Sequence, residues 1–78
     1  MSAIEVVKNS LEIIRFQVTE FRGKRYGDIR VYYRDDNGEW KPTKKGLTLS
    51  PELWPEFVDG IRKIGEQLQE QGLLDSDN

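Results

Sequence analysis

Seventy-eight residues amount to one domain, and the absence of cysteine and histidine excludes disulfide staples, thiolate or imidazole zinc sites, and Cys or His nucleophiles. At 36% hydrophobic and 33% charged residues, with two Trp, three Tyr and three Phe, the chain is too apolar for disorder. It is also short enough that a single-chain core is marginal and a partner subunit would help. The net charge of −2 is unevenly spread: residues 15–45 hold nine basic groups against five acids, and residues 46–78 hold two against seven. The middle of a mildly acidic chain can therefore face a polyanion. No apolar run approaches the roughly 20 residues of a membrane span, and the N-terminus lacks the basic start and apolar stretch of a signal peptide. The expectation is an intracellular protein with no membrane partner, cofactor, metal or small-molecule substrate.

Residues 1–10 are read as an N-terminal extension, residues 11–49 as a β-sheet, 50–71 as a helix and 72–78 as an acidic tail, all within a single domain, 1–78. From Leu11 to Phe21, Ile14, Phe16 and Val18 alternate with Arg15, Gln17 and Thr19, the period of a half-buried strand. Gly23 then supplies the positive φ of a tight turn, which implies a hairpin. Arg25 to Arg34 is rich in strand formers, with Tyr26, Asp28, Arg30, Tyr32 and Arg34 on one parity and Ile29, Val31 and Tyr33 on the other. Asn37-Gly38 suits a type I′ loop. A short third strand over 39–41, a bend over 42–46 and a short fourth strand over 46–49 complete an α+β expectation: a four-stranded curved antiparallel meander followed by one C-terminal helix.

Ser50-Pro51 reads as the helix start, Ser capping free amides and Pro at a position that needs no N–H. Trp54, Phe57, Val58, Ile61, Ile64 and Leu68 recur at three- and four-residue steps, an apolar stripe with the charges off it. Pro55, Gly60 and Gly65 predict a bend or a close helix contact within 55–65, and Gly72 predicts the helix end.

The segment from Phe21 to Tyr33, followed by Gly38 to Leu49, interleaves cations with aromatic rings on adjacent strands. Single-stranded nucleic acid requires that mixture: cations neutralise phosphates, and exposed rings stack on unpaired bases of any identity. The competing reading is that each ring covers a core edge, as most aromatics do. Asp28, Asp35, Asp36 and Glu39 are the acids a metal-dependent nuclease would use, but Asp35 and Asp36 sit in a turn where solvated acids are ordinary.

The run Phe21-Arg-Gly-Lys24, then Asp28-Ile-Arg30 with an aromatic three residues on, then Gly38-Glu-Trp-Lys-Pro-Thr-Lys-Lys-Gly-Leu-Thr-Leu49 and Pro51-Glu-Leu-Trp54, resembles the single-stranded-DNA-binding domain of the transcriptional coactivator positive cofactor 4 family over about residues 14–68. The resemblance implies a non-catalytic homodimer whose two sheets form channels for unpaired DNA; RNA and unwound duplex are alternative partners that the residues do not separate from single-stranded DNA. It implies base stacking by Phe21 and Tyr33, and backbone contacts from Arg22, Lys24, Arg30, Lys41, Lys44 and Lys45. Tyr33 stands where the best-known member has Trp, and Thr19 where it has a basic residue. The Ser-rich regulatory region of the eukaryotic member has no counterpart in these 78 residues. That points to a prokaryotic-type short form acting in transcription regulation or DNA maintenance, cytoplasmic and nucleoid-associated in a bacterium or otherwise nuclear. Strict alternation sets Arg30 and Tyr33 on opposite faces, so either a bulge near the end of their strand or DNA wrapping a curved edge is required. Tyr32 is the fallback ring, and Trp40 either extends the stacking surface or belongs to a core or dimer contact. The alternative function is a protein-interaction module that binds a peptide or polymerase subunit at the sheet edge.

Overall fold

Period-two alternation becomes an open antiparallel sheet in the computed structural model, which describes residues 3–74. Its strands are β1 (Ile4–Asn9), β2 (Glu12–Phe21), β3 (Lys24–Arg34) and β4 (Trp40–Leu49), hydrogen-bonded in the order β1-β2-β3-β4. A 3-10 turn over Pro51–Leu53 leads into helix α1 (Trp54–Glu70). The expected meander with a C-terminal helix is the observed fold, but its strands are divided differently.

Residues assigned to an N-terminal extension form β1, pairing Ile4 with Phe16 and Val6 with Ile14. The period-two signal is present in Ile4 and Val6, but Val7 interrupts it and sits opposite Ile13 on the other face. The short strands expected over 39–41 and 46–49 are one strand, β4. Pro42 does not break it, because an edge strand tolerates proline where one side of its backbone needs no partner. Between Pro42, opposite Tyr32, and Gly46, opposite Arg30, the residues Thr43, Lys44 and Lys45 face the single residue Val31, a wide bulge in β4.

The first hairpin turn forms as expected and the second does not. Arg22 and Gly23 both have positive φ, 53° and 79°, as a two-residue type I′ hairpin demands. In the next hairpin Gly38 has positive φ and Asn37 does not, so the expected type I′ loop is instead an Asp35-centred turn. The Gly38 amide donates to the Asp35 carbonyl, and the Asn37 and Glu39 amides both donate to Asp35 Oδ1 at 2.9 Å. An aspartate that satisfies two loop amides with its side chain removes the need for Asn in the left-handed region. The Glu39 and Asn37 amides, with Lys41 alongside, hold the Asp35 carboxyl below the usual range.

Ser50 precedes the 3-10 turn but makes no side-chain cap, contrary to the sequence reading. Pro55 falls in the first turn of α1, where its missing N–H costs nothing, and neither it nor Gly60 or Gly65 interrupts the helix, which runs continuously to Glu70. Gly72, at φ 72°, ends it in a Schellman arrangement, the Leu73 amide reaching the Leu68 carbonyl at 2.9 Å. The part of the expected acidic tail beyond residue 74 lies outside the described residues.

One sheet face carries Ile14, Phe16, Val18, Ile29, Val31, Leu47 and Leu49; the other carries Arg15, Gln17, Asp28, Arg30, Tyr32 and Thr48. Helix α1 is anchored to the apolar face at its start, where the Trp54 ring lies against Gly27 and Phe57 tilts against Trp54 at 5.9 Å. Beyond that anchor its stripe is open, with Val58, Ile61 and Ile64 each about half exposed.

Candidate nucleic-acid interface

Register decides which candidate side chains share a surface. Counting pleats along β2 and β3 puts Phe21, Lys24 and Arg30 on the polar face, together with Trp40, which stands opposite Arg34 on β4. Tyr33 and Lys41 stand opposite each other on the other face, at the far end of β3. The β2–β3 register is uninterrupted, so β3 carries no bulge that would turn Tyr33 toward Arg30. The irregularity lies across the ladder, in β4.

Phe21 is 63% exposed at the end of β2, and the Arg22 guanidinium sits over its ring at 5.1 Å from the centroid. Tyr33 is 43% exposed. The fallback, Tyr32, is a packed ring: it is buried, Arg15 stacks on it at 4.2 Å, and its hydroxyl accepts from the Gln17 amide at 3.0 Å. It has no free face for a base. Arg15 is in turn held by Glu5 at 2.8 Å.

The cations fall into two groups. Arg22, Lys24, Lys44 and Lys45 are exposed, and no ion pair engages them among the described residues. Lys41 is shared between Asp35 at 3.7 Å and Glu39 at 3.5 Å, which partly neutralises it. Arg30 is occupied internally. Its Nε and Nη2 donate to the two oxygens of Asp28 at 3.3 and 3.0 Å, Nη1 donates to the Thr43 carbonyl at 3.0 Å, and Nη2 also reaches Thr48 Oγ1 at 3.2 Å. Hydrogen bonding to Asp28 raises its pKa further above the ordinary guanidinium value, so it stays cationic.

Lys44 and Lys45 owe their presentation to the bulge. Thr43 Oγ1 donates to the Val31 carbonyl at 2.7 Å and accepts from the Lys45 amide at 3.1 Å, pinning the loop of extra residues to β3. Gly46 closes it, because a Cβ there would lie 2.6 Å from the Ile29 carbonyl oxygen. Lys45 also reaches toward the Tyr33 end of the sheet: after the hydrogen bond from Asn9, Lys8 and Lys45 help to hold Glu12, the register partner of Tyr33, below the usual carboxylate range. The sequence signal for this cluster is Asp28-x-Arg30, two same-face residues of opposite charge, together with the threonines at 43 and 48 that complete their hydrogen bonding. The acids a nuclease would need are elsewhere engaged, Asp28 by Arg30 and Thr48, Asp35 by its own turn. No cluster of three potential metal ligands occurs among the described residues.

Known proteins share this fold. A family model described as Transcriptional Coactivator p15 (PC4) matches residues 8–60. The RNA polymerase II transcriptional coactivator SUB1 of Saccharomyces cerevisiae is 41% identical over 59 residues, 74% of this chain and 20% of the relative. The coactivator KELP of Arabidopsis thaliana is 44% identical over 50 residues, 64% of this chain and 30% of the relative. The chain thus spans a third or less of these two proteins. Among solved structures, a PC4 homolog from Burkholderia pseudomallei K96243 superposes with a TM-score of 0.75 at 31% identity, covering 80% of this chain and 84% of that one. A bacteriophage T5 homolog of PC4, implicated in recombination-dependent DNA replication, superposes with a TM-score of 0.65 at 32% identity, covering 94% and 82%.

Proposed function

The chain belongs to the transcriptional coactivator p15 (PC4) family, and from that membership we propose that it binds single-stranded DNA, without catalysis and largely without regard to sequence, in transcription regulation or DNA maintenance. The observation that carries this reading is the pairing of exposed rings with unneutralised cations: Phe21 beside Arg22 and Lys24, and a bulge that presents Lys44 and Lys45. Rings supply sequence-tolerant stacking and cations supply phosphate neutralisation. Tyr33 and Lys41 join from the opposite face if the strand wraps the β4 edge at the bulge, and Arg30 contributes its charge from below. An intracellular location, nucleoid-associated in a prokaryote or nuclear in a eukaryote, goes with this reading.

The hairpin tip adds support. Arg22 adopts a left-handed conformation that costs a non-glycine residue about 1–2 kcal/mol, where Asn would be the natural choice. Arg22→Asn is expected to raise the unfolding free energy by about 1 kcal/mol and to weaken binding of single strands. Thermal unfolding and oligo-dT titration measure the two effects; a destabilised variant with unchanged binding contradicts both halves of the argument.

A homodimer is part of the proposal. The chain exposes 6586 Å², whereas a compact monomer of 9.1 kDa exposes about 4,900 Å². Its radius of gyration is 15.0 Å against about 11.5 Å for a globule of this length. The excess of roughly 1,700 Å² is of the size each subunit of an obligate dimer buries. The open helix stripe and a groove of about 470 Å³, lined in part by Ile4, Phe16, Val18 and Trp54, are its apolar components.

Titration of fluorescent oligo-dT across a salt series tests the reading. Affinity should fall with log salt by a slope of about −0.7 per neutralised phosphate. Absent or salt-insensitive binding would sink it. It would instead favour the second reading, strand addition of a peptide at β1, whose six residues are all exposed along an open edge.

A further inference from the structure

Asp28 is the one buried acid among the described residues, and it lies on the face proposed to meet a polyanion. On charge alone it is misplaced, since a carboxylate there repels phosphate. Its contacts give another account. Oδ1 accepts from Thr48 Oγ1 at 2.7 Å and from Arg30 Nη2 at 3.0 Å, and Oδ2 accepts from Arg30 Nε at 3.3 Å. Two contacts on one guanidinium fix its plane, and the fixed guanidinium presents Nη1 to the Thr43 carbonyl. Thr43 in turn holds the Val31 carbonyl and the Lys45 amide. The relay therefore ends on the backbone of the bulge that carries Lys44 and Lys45.

We infer that Asp28 is a positioning residue for the nucleic-acid interface: through Arg30 and Thr43 it sets the shape of the β4 bulge and so the placement of Lys44 and Lys45. This rests on the proposed DNA-binding function, but its structural half can be tested independently. A bulge leaves backbone groups without ladder partners, and its shape is set by whatever side chains replace them. Here the Thr43 carbonyl takes its hydrogen bond from Arg30, and that hydrogen bond depends on the orientation Asp28 imposes.

Asp28→Asn makes a test in which charge and positioning predict opposite signs. Loss of a negative charge alone should tighten binding of oligo-dT. Loss of positioning should weaken it, by about tenfold at low salt, and flatten the salt slope by about 0.7–1.4 as one or two phosphate contacts are lost. In the Asp28→Asn background, Lys44→Ala with Lys45→Ala should add little further loss, the non-additivity of residues acting as one unit. Independently of DNA, the Lys45 amide should exchange with solvent faster in Asp28→Asn than in the wild type. If Asp28→Asn fails to fold, as thermal unfolding will show, Thr43→Val breaks the same relay one step later and should reproduce the flattened slope and the faster exchange. Equal or tighter binding with an unchanged slope overturns the inference, as does unchanged Lys45 exchange. A wild type that does not bind oligo-dT overturns the proposed function instead, and the Lys45 exchange still decides whether Asp28 shapes the bulge.

Discussion

If the α1 stripe closes the proposed homodimer, replacing Ile61 with Glu is expected to leave a particle of 9.1 kDa, read by light scattering, and to lower the melting temperature. In a single chain Ile61 is already 51% exposed, so a charge there should change stability by no more than about 0.5 kcal/mol. In a dimer closed over the α1 stripe, the same carboxylate would be buried among Val58, Ile64 and their symmetry mates. Burying a charge that way costs on the order of 4 kcal/mol, about a thousandfold in dissociation constant. Because so few side chains of the single chain are fully buried, dissociation should carry the fold with it and unfolding should depend on protein concentration. An unchanged mass and melting temperature would mean that the stripe faces solvent or a different partner. Gly60, whose added Cβ would meet nothing within 4 Å, supplies the control: Gly60→Ala should leave a monomer more stable, through helix propensity, but should disturb a helix contact that needs the space.

Removing the rings is expected to have the largest effect on binding. Phe21→Ala and Tyr33→Ala should each cost about 1–3 kcal/mol of single-strand affinity, since each exposes one face to a base and contributes little to the core. The two rings sit near opposite ends of β3, about 30 Å apart at the rise of an extended strand, so their losses should add. The double variant is then weaker by between about thirtyfold and twenty-thousandfold, with fold and mass unchanged. Trp40→Ala belongs in the same titration. Register puts Trp40 on the face of Phe21 and Tyr33 on the opposite one, so the DNA path can be read from which loss is larger. A greater loss at Tyr33 means the strand wraps the β4 edge past Lys45; a greater loss at Trp40 means it stays on the polar face.

Some of this was legible in the residues alone. The alternation of Ile14, Phe16 and Val18, the Arg22-Gly23 turn, the helical stripe and its glycine stop depend on contacts between near neighbours in the chain, and local chemistry specifies them. The ordered run of Phe21, Lys24, Arg30, Lys44 and Lys45 likewise carried the family likeness. The edges of the sheet were not legible in that way. Whether Ile4–Asn9 is a strand depends on a partner, β2, rather than on its own pattern. Whether Pro42 breaks a strand depends on whether anything hydrogen-bonds its outer side.

What the sequence by itself determined is the inventory: the alternation of the two central strands, one amphipathic helix, and a basic, aromatic middle in an acidic chain. Local sterics and periodicity are enough for that. Only the tertiary structure decided how the inventory is used. It buried Tyr32 under Arg15 and left Tyr33 exposed, and it turned Thr43-Lys44-Lys45 into a bulge. It also tied Arg30 to Asp28 and Thr43 rather than leaving it free. The physical reason is register: a residue's face and its hydrogen-bond partners are set by the strand opposite, and in this sheet the residues that complete the relay, Thr43 and Thr48, come from β4, 13 and 18 positions along the chain from Arg30.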